Sequence, residues 1–234
     1  MYDGTSRGRH TSSFDGAAAR RLREALGMAP RDVAHGMRAA FGLTVAAETV
    51  TAWERGEQTP DDRELTALAG ALWCAVPELM DTPGTLRGFR LAQGLSRADL
   101  ALGIGMDEAA YALAEEEGRW VGDARQADAL GRVLRLPVPA LIAFTGRSAE
   151  LAELLRRAVT SRWQAYVEPV SGLVPLPRAY LEDGLRRLHA EYTSTTAASL
   201  GWGRPASASS REAARAFLDD VLDRFWNAVE GLES

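Results

Sequence analysis

The chain has 234 residues, 46 % of them hydrophobic, which gives room for one large domain or two to three small ones with real cores. A net charge of −5 excludes a global positive field for nucleic acid, and a lone cysteine, Cys74 in the apolar run ALWCAV, excludes an internal disulfide and reads as packing. No apolar run reaches the roughly 18 residues of a membrane span, and His10, His35 and His189 are scattered without metal-ligand spacing. With no glycine-rich phosphate loop and no local nucleophile signature either, neither a metal, a cofactor nor catalysis is expected.

Residues 1–16, MYDGTSRGRHTSSFDG, lack the apolar core of a secretory signal, so a cytoplasmic location is expected. They read as a flexible basic arm: residues 1–31 hold Arg7, Arg9, Arg20, Arg21, Arg23 and Arg31 against Asp3, Asp15 and Glu24. The RGRH stretch, Arg7 to His10, suits either a groove-reaching arm or a solubilising tail. All 27 basic residues are arginine, the better phosphate and guanine ligand of the two cations.

Helical spacing then takes over. It predicts a helix over 17–26 stopped by Gly27, and a second from Pro30, lengthened through Met37, Ala40 and Phe41 and closed by Gly42. A third is predicted over 46–54 before Gly56, a fourth over 61–74 with Asp61 and Asp62 at its start, and a short fifth from Pro77. The set then recurs. Arg23, Gly27, Asp32 and Ala34 return as Arg90, Gly94, Asp99 and Ala101, an offset of 67. Leu68, Leu72, Pro77 and Leu79 return as Leu130, Leu134, Pro139 and Leu141, an offset of 62. Two copies of one unit are therefore expected, the first with five extra residues in its middle. No stretch alternates apolar and polar residues as a strand would.

From residue 147 onward, three helical patterns follow: Ala149–Val167, Arg178–Leu200 and Ser210–Leu232. Pro169 to Pro177 separates the first two, and GWGRPASASS reads as a linker before the last. The apolar stripes serve either subunit pairing or a sensor pocket lined by Trp163, Tyr166, Phe225 and Trp226.

The first copy carries Leu22, Arg23, Gly27, Met28, Val33 and Ala34, then Val45, Thr49, Val50, Thr51, Trp53, Glu54, Arg55 and Gly56, with Pro60 beyond. The second carries Leu86, Arg87, Gly94, Leu95, Ser96, Leu100, Ala101, Gly105, Met106, Tyr111, Glu115 and Gly118. In order and residue type this resembles the helix-turn-helix domain of the Xre/phage-repressor family. The resemblance implies an all-α chain: two tandem five-helix, lambda-repressor-like units, 17–81 and a degenerate 82–146, followed by a small helical C-terminal domain, 147–234.

It also implies roles. Trp53 turns inward, and Glu54 pairs with Arg20 or Arg23, as Glu115 does with Arg87 or Arg90. The third helix offers Thr44, Ala46, Ala47, Glu48, Thr51 and Ala52 to the major groove. Thr44 caps the helix or meets a phosphate, the alanines suit a thymine methyl, and Glu48 suits a cytosine amino group. Arg31, Arg38, Arg55 and Gln58 are placed for phosphates. In the second copy Asp107, Glu108, Glu115, Glu116 and Glu117 would oppose phosphates, so that copy is expected to have kept the fold and lost the DNA contact. It would then pack on the first copy, pair with another subunit or meet a protein. Two functions remain open. One is a sequence-specific transcriptional regulator that binds double-stranded DNA through the first unit as a homodimer, with a small-molecule or protein effector at the C-terminal domain. The other is an interaction module, an adaptor or an antagonist of another regulator, built from units that no longer bind DNA.

Overall fold

The computed structural model describes residues 14–197 and 208–230, and every element among them is helical apart from a single bridge between Phe14 and Met80. The chain divides at Gly118/Arg119 into two compact units. The division falls inside the 82–146 stretch that the repeat groups together. No helix among the described residues is long and apolar enough to cross a membrane. Residues 1–13 of the expected arm lie outside the described residues, as does the 201–207 part of the expected linker. Phe14 to Gly16 belong to the folded unit: Asp15 N–H donates to Leu79 O at 2.8 Å, and Asp15 caps the first helix.

The first unit contains α1 (Gly16–Ala25), α2 (Pro30–Phe41), α3 (Ala47–Glu54) and α4 (Asp62–Ala71), then a 3-10 turn (Val76–Leu79). It continues with α5 (Leu86–Ala92), α6 (Arg97–Ile104) and α7 (Glu108–Glu117). Its main core gathers Val33, Met37, Val50, Trp53, Leu65, Leu68, Leu72 and Leu79, joined by Leu91 from α5. Cys74 is half-buried at its edge, and burial, aided by Glu78, pushes its thiol up, away from the reactive thiolate. The second helix does run on to Phe41, where Gly42 takes the left-handed backbone at φ 66° that ends it. The extra residues of the first repeat are mostly one added helical turn: α2 has 12 residues and α6 has 8.

Equivalent positions make equivalent bonds. Arg23 grips Glu54 through Nε and Nη2 (2.6 and 2.8 Å), and its Nη1 donates to Met28 O at 2.7 Å. Arg90 grips Glu115 in the same way (2.9 and 2.8 Å) and donates to Leu95 O at 2.8 Å. The inward positions differ in a compensating manner. Val50 and Trp53 of α3 are matched by Tyr111 and Ala114 of α7, all at most 1 % exposed. The large ring has moved one turn toward the helix start, and the pair in the second repeat is the smaller of the two. Tyr111's hydroxyl lies near Glu115 but outside hydrogen-bonding geometry; burial first, and then that carboxylate, push its ionisation well up.

Arg90 does one thing Arg23 does not. Its Nη2 also donates to Asp62 at the head of α4, and Arg87 Nε reaches the same carboxylate at 2.7 Å. An Asp62–Arg90–Glu115 cluster thus ties α4 to α5 and α7.

The second unit holds α8 (Ala124–Leu134), α9 (Val138–Phe144), α10 (Ser148–Thr160), a 3-10 turn (Trp163–Tyr166) and α11 (Val167–Ser171). It ends in α12 (Arg178–Ala197), α13 (Ala208–Asp219) and α14 (Val221–Glu230). The α8 helix repeats α4 closely. Asp61 and Glu64 exchange backbone-to-side-chain bonds at 2.7 and 2.9 Å, and Asp123 and Gln126 do so at 2.8 and 3.0 Å. Leu65, Leu68 and Leu72 are buried, as are Ala127, Leu130 and Leu134, and Trp73 and Arg135 just beyond both have positive φ.

Two of the expected C-terminal helices are broken. The 149–167 pattern stops at Thr160, where the Thr160 and Ser161 hydroxyls donate to the carbonyls of Arg156 (2.8 Å) and Arg157 (2.6 Å), bonds that satisfy a helix end. Pro169, expected in a connector, lies in the first turn of α11, where its missing N–H costs no helix bond. The 210–232 pattern is two helices broken at Asp220. Arg156 Nε donates at 3.1 Å to Leu218 O, the carbonyl that an unbroken helix would offer to Leu222. The 178–200 helix is described to Ala197.

Candidate nucleic-acid interface

The candidate interface is built on α3, and three contacts fix the rotation of that helix. Trp53 is 1 % exposed and packs with Val50 in the core. Glu54 is clamped by Arg23 from α1, with side chains 6 % and 11 % exposed. Gly16 allows α1 to press on the end of α3: a Cβ there would lie 2.3 Å from the Trp53 carbonyl oxygen. The expectation of a Glu54 partner at Arg20 or Arg23 resolves to Arg23, because Arg20 turns outward to Glu24 at 2.8 Å.

With that side anchored, the opposite side faces out. Thr44, Ala46 and Glu48 are exposed, and Ala47, Thr51 and Ala52 are half-buried. Thr51 donates its hydroxyl proton to Ala47 O at 3.0 Å, leaving its oxygen free to accept. Thr44 does not cap the helix. Ala46 occupies the N-cap, and no side chain bonds the first amides of α3.

The start of α2 differs: its N-cap, Ala29, has no side-chain cap to give, but the Ala29 N–H donates to Asp32 Oδ2 at 2.7 Å, so a carboxylate already sits on that first turn. The starts of α9, α10 and α11 in the second unit also lack a side-chain cap, whereas the remaining helices up to α8 have one. Asp15, Asp61, Thr85, Ser96, Asp107 and Asp123 accept from the first amides of α1, α4, α5, α6, α7 and α8. The start of α3 is therefore open while its counterpart α7 is closed by Asp107, and the starts of α2 and α6 carry Asp32 and Ser96 respectively. Free amides at the positive end of a helix dipole suit an anion. Alanine at a cap position carries no sequence signal of its own; the clue lies in comparing the two repeats position by position.

Arg31 is exposed beside the start of α2, its Nε 3.7 Å from Asp32 Oδ1. Arg38 and Gln58 are exposed, and Arg55 Nη1 lies 3.8 Å from Glu57 Oε1. Two of the three arginines thus stand near a carboxylate that shares their charge, at the long distances of exposed pairs that a phosphate can displace.

In the second repeat one expectation fails: Glu115 is not on the acidic surface. Its side chain is 1 % exposed, against Arg90. Burial alone would raise its pKa, but the Arg90 hydrogen bonds and charge outweigh that and hold it low. Asp107, Glu108, Glu116 and Glu117 remain outward. The four rings expected around a sensor pocket all join one apolar core, with Phe225 fully buried and Trp226 tilted against it, ring centroids 5.0 Å apart. Comparison with protein-family models, with curated proteins and with solved structures gave no match to this chain.

Proposed function

We propose that the chain is a sequence-specific DNA-binding transcriptional regulator of the Xre/phage-repressor type, acting in the cytoplasm. Two tandem helix-turn-helix units, spanning α1 to the 3-10 turn at Val76–Leu79 and α5 to α9, precede a helical domain that pairs two subunits on two half-sites. The first unit holds duplex DNA and the second does not. The observation that carries this reading is the uncapped helix start at Ala46 on an α3 whose Trp53 side is buried and whose Ala46–Glu48 side faces out. Thr44, Ala46, Ala47, Glu48 and Thr51 then meet base edges, and Arg31, Arg38, Arg55 and Gln58 meet phosphates.

A salt titration of binding to a pool of random duplexes tests it. Affinity falls along a log–log line whose slope counts the phosphates neutralised, and Arg31→Ala lowers that slope by about one. Duplex affinity that is absent at low salt, or that ignores salt, contradicts the proposal.

A further inference from the structure

The outward side of α7 differs in chemistry from that of α3. Aligning the buried Glu54 with the buried Glu115 sets the register between α3 and α7. The five outward positions Ala46, Ala47, Glu48, Thr51 and Ala52 then become Asp107, Glu108, Ala109, Ala112 and Leu113. A bulky apolar side chain appears where the first repeat keeps an alanine, and Leu113 is 45 % exposed. On α6, which packs against α7, Leu102 is 83 % exposed. On α7 itself the charge has one sign. Glu108 and Glu117 are exposed, Glu116 keeps 63 % of its side chain in solvent, and Arg97 is turned to Glu115 and Glu116 at 3.4 and 3.3 Å.

Each feature narrows the occupant. Carboxylates repel a duplex, and Asp107 already fills the helix start by accepting from Ala109 and Ala110 N–H. A second α7 face is excluded too, because like charges would oppose each other. An exposed leucine on a helix whose outward charges are all acidic fits a helix with an apolar stripe flanked by arginine or lysine, whose stems cover leucine while their heads reach carboxylates.

We propose that this α7 face is a docking surface for a basic amphipathic helix of another protein. It does not depend on whether the first repeat holds DNA.

The test uses the full chain and two synthetic amphipathic helical peptides, one with arginines beside its leucine stripe and a twin with glutamates in their place. Fluorescence anisotropy is expected to show binding of the arginine peptide and none of the twin. Leu113→Asp weakens binding about tenfold or more, the loss expected for an anchor at the centre of an interface, with circular dichroism and thermal unfolding unchanged. Glu108→Gln with Glu116→Gln weakens it and flattens its salt dependence. Arginine-peptide binding that is absent, or that is indifferent to Leu113→Asp, overturns the proposal. So does duplex binding that Leu113→Asp abolishes, which would make this a nucleic-acid surface instead.

Discussion

Glu115→Ala is expected to destabilise the first unit by about 3–5 kcal/mol, the cost of leaving a buried charge without its partner. Arg90 and Glu115 are each 1 % exposed, and after the change Arg90 keeps only the partly exposed Asp62 and the Leu95 carbonyl. The matching change in the first repeat, Glu54→Ala, is milder, because Arg23 is 11 % exposed and within reach of water. Urea unfolding of both variants gives the order directly. The pair also sets an acid limit. Asp62 and Glu115 are both held below the ordinary carboxylate range, burial opposing and their arginines prevailing. A depressed folded pKa stabilises above the unfolded value of about 4 and is lost as pH falls through the folded one. Stability should therefore drop steeply below about pH 4, and Glu115→Gln should make that drop shallower.

Trp53→Ala is expected to cost a similar amount, about 3–5 kcal/mol, through lost burial and the cavity left between α1, α2 and α3. The consequence reaches function, because the indole is what turns the Ala46–Glu48 side outward. The second repeat suggests the compensating change, since it buries Tyr111 one turn earlier and the small Ala114 behind it at the matching positions. Val50→Tyr placed in the Trp53→Ala background should recover part of the loss, while Val50→Tyr alone overpacks and destabilises. A double-mutant cycle on thermal unfolding measures that coupling, and strict additivity would mean the two sites do not share one cavity.

Local spacing gives the Gly42 stop, because an amphipathic helix fixes its own faces. The inward Trp53, and partners for Glu54 at Arg20 or Arg23 and for Glu115 at Arg87 or Arg90, are implied by the resemblance to the helix-turn-helix family; the choice of Arg23 and Arg90 needs the fold. What stayed hidden depends on distant chain or on comparison. The offset between repeats is 61 in the third helices, so the exchange of Val50 and Trp53 for Tyr111 and Ala114 shows only once Glu54 and Glu115 are superposed. Glu115 read equally well as surface acid and as buried partner until Arg90 was seen to enclose it. The break at Asp220 is tied to Arg156, 62 residues from the carbonyl it binds, and no periodicity in 210–232 reports that. The open start of α3 was invisible because an alanine there signals nothing alone.

The most direct measurement of the central claim is amide hydrogen exchange of the full chain with and without a pool of random-sequence duplexes at low salt. Protection is predicted at the starts of α2 and α3, around Arg31 and from Ala47 to Thr51, with none from Glu108 to Leu113. Protection of α7 in place of α3, or of neither while duplex is bound, would contradict it.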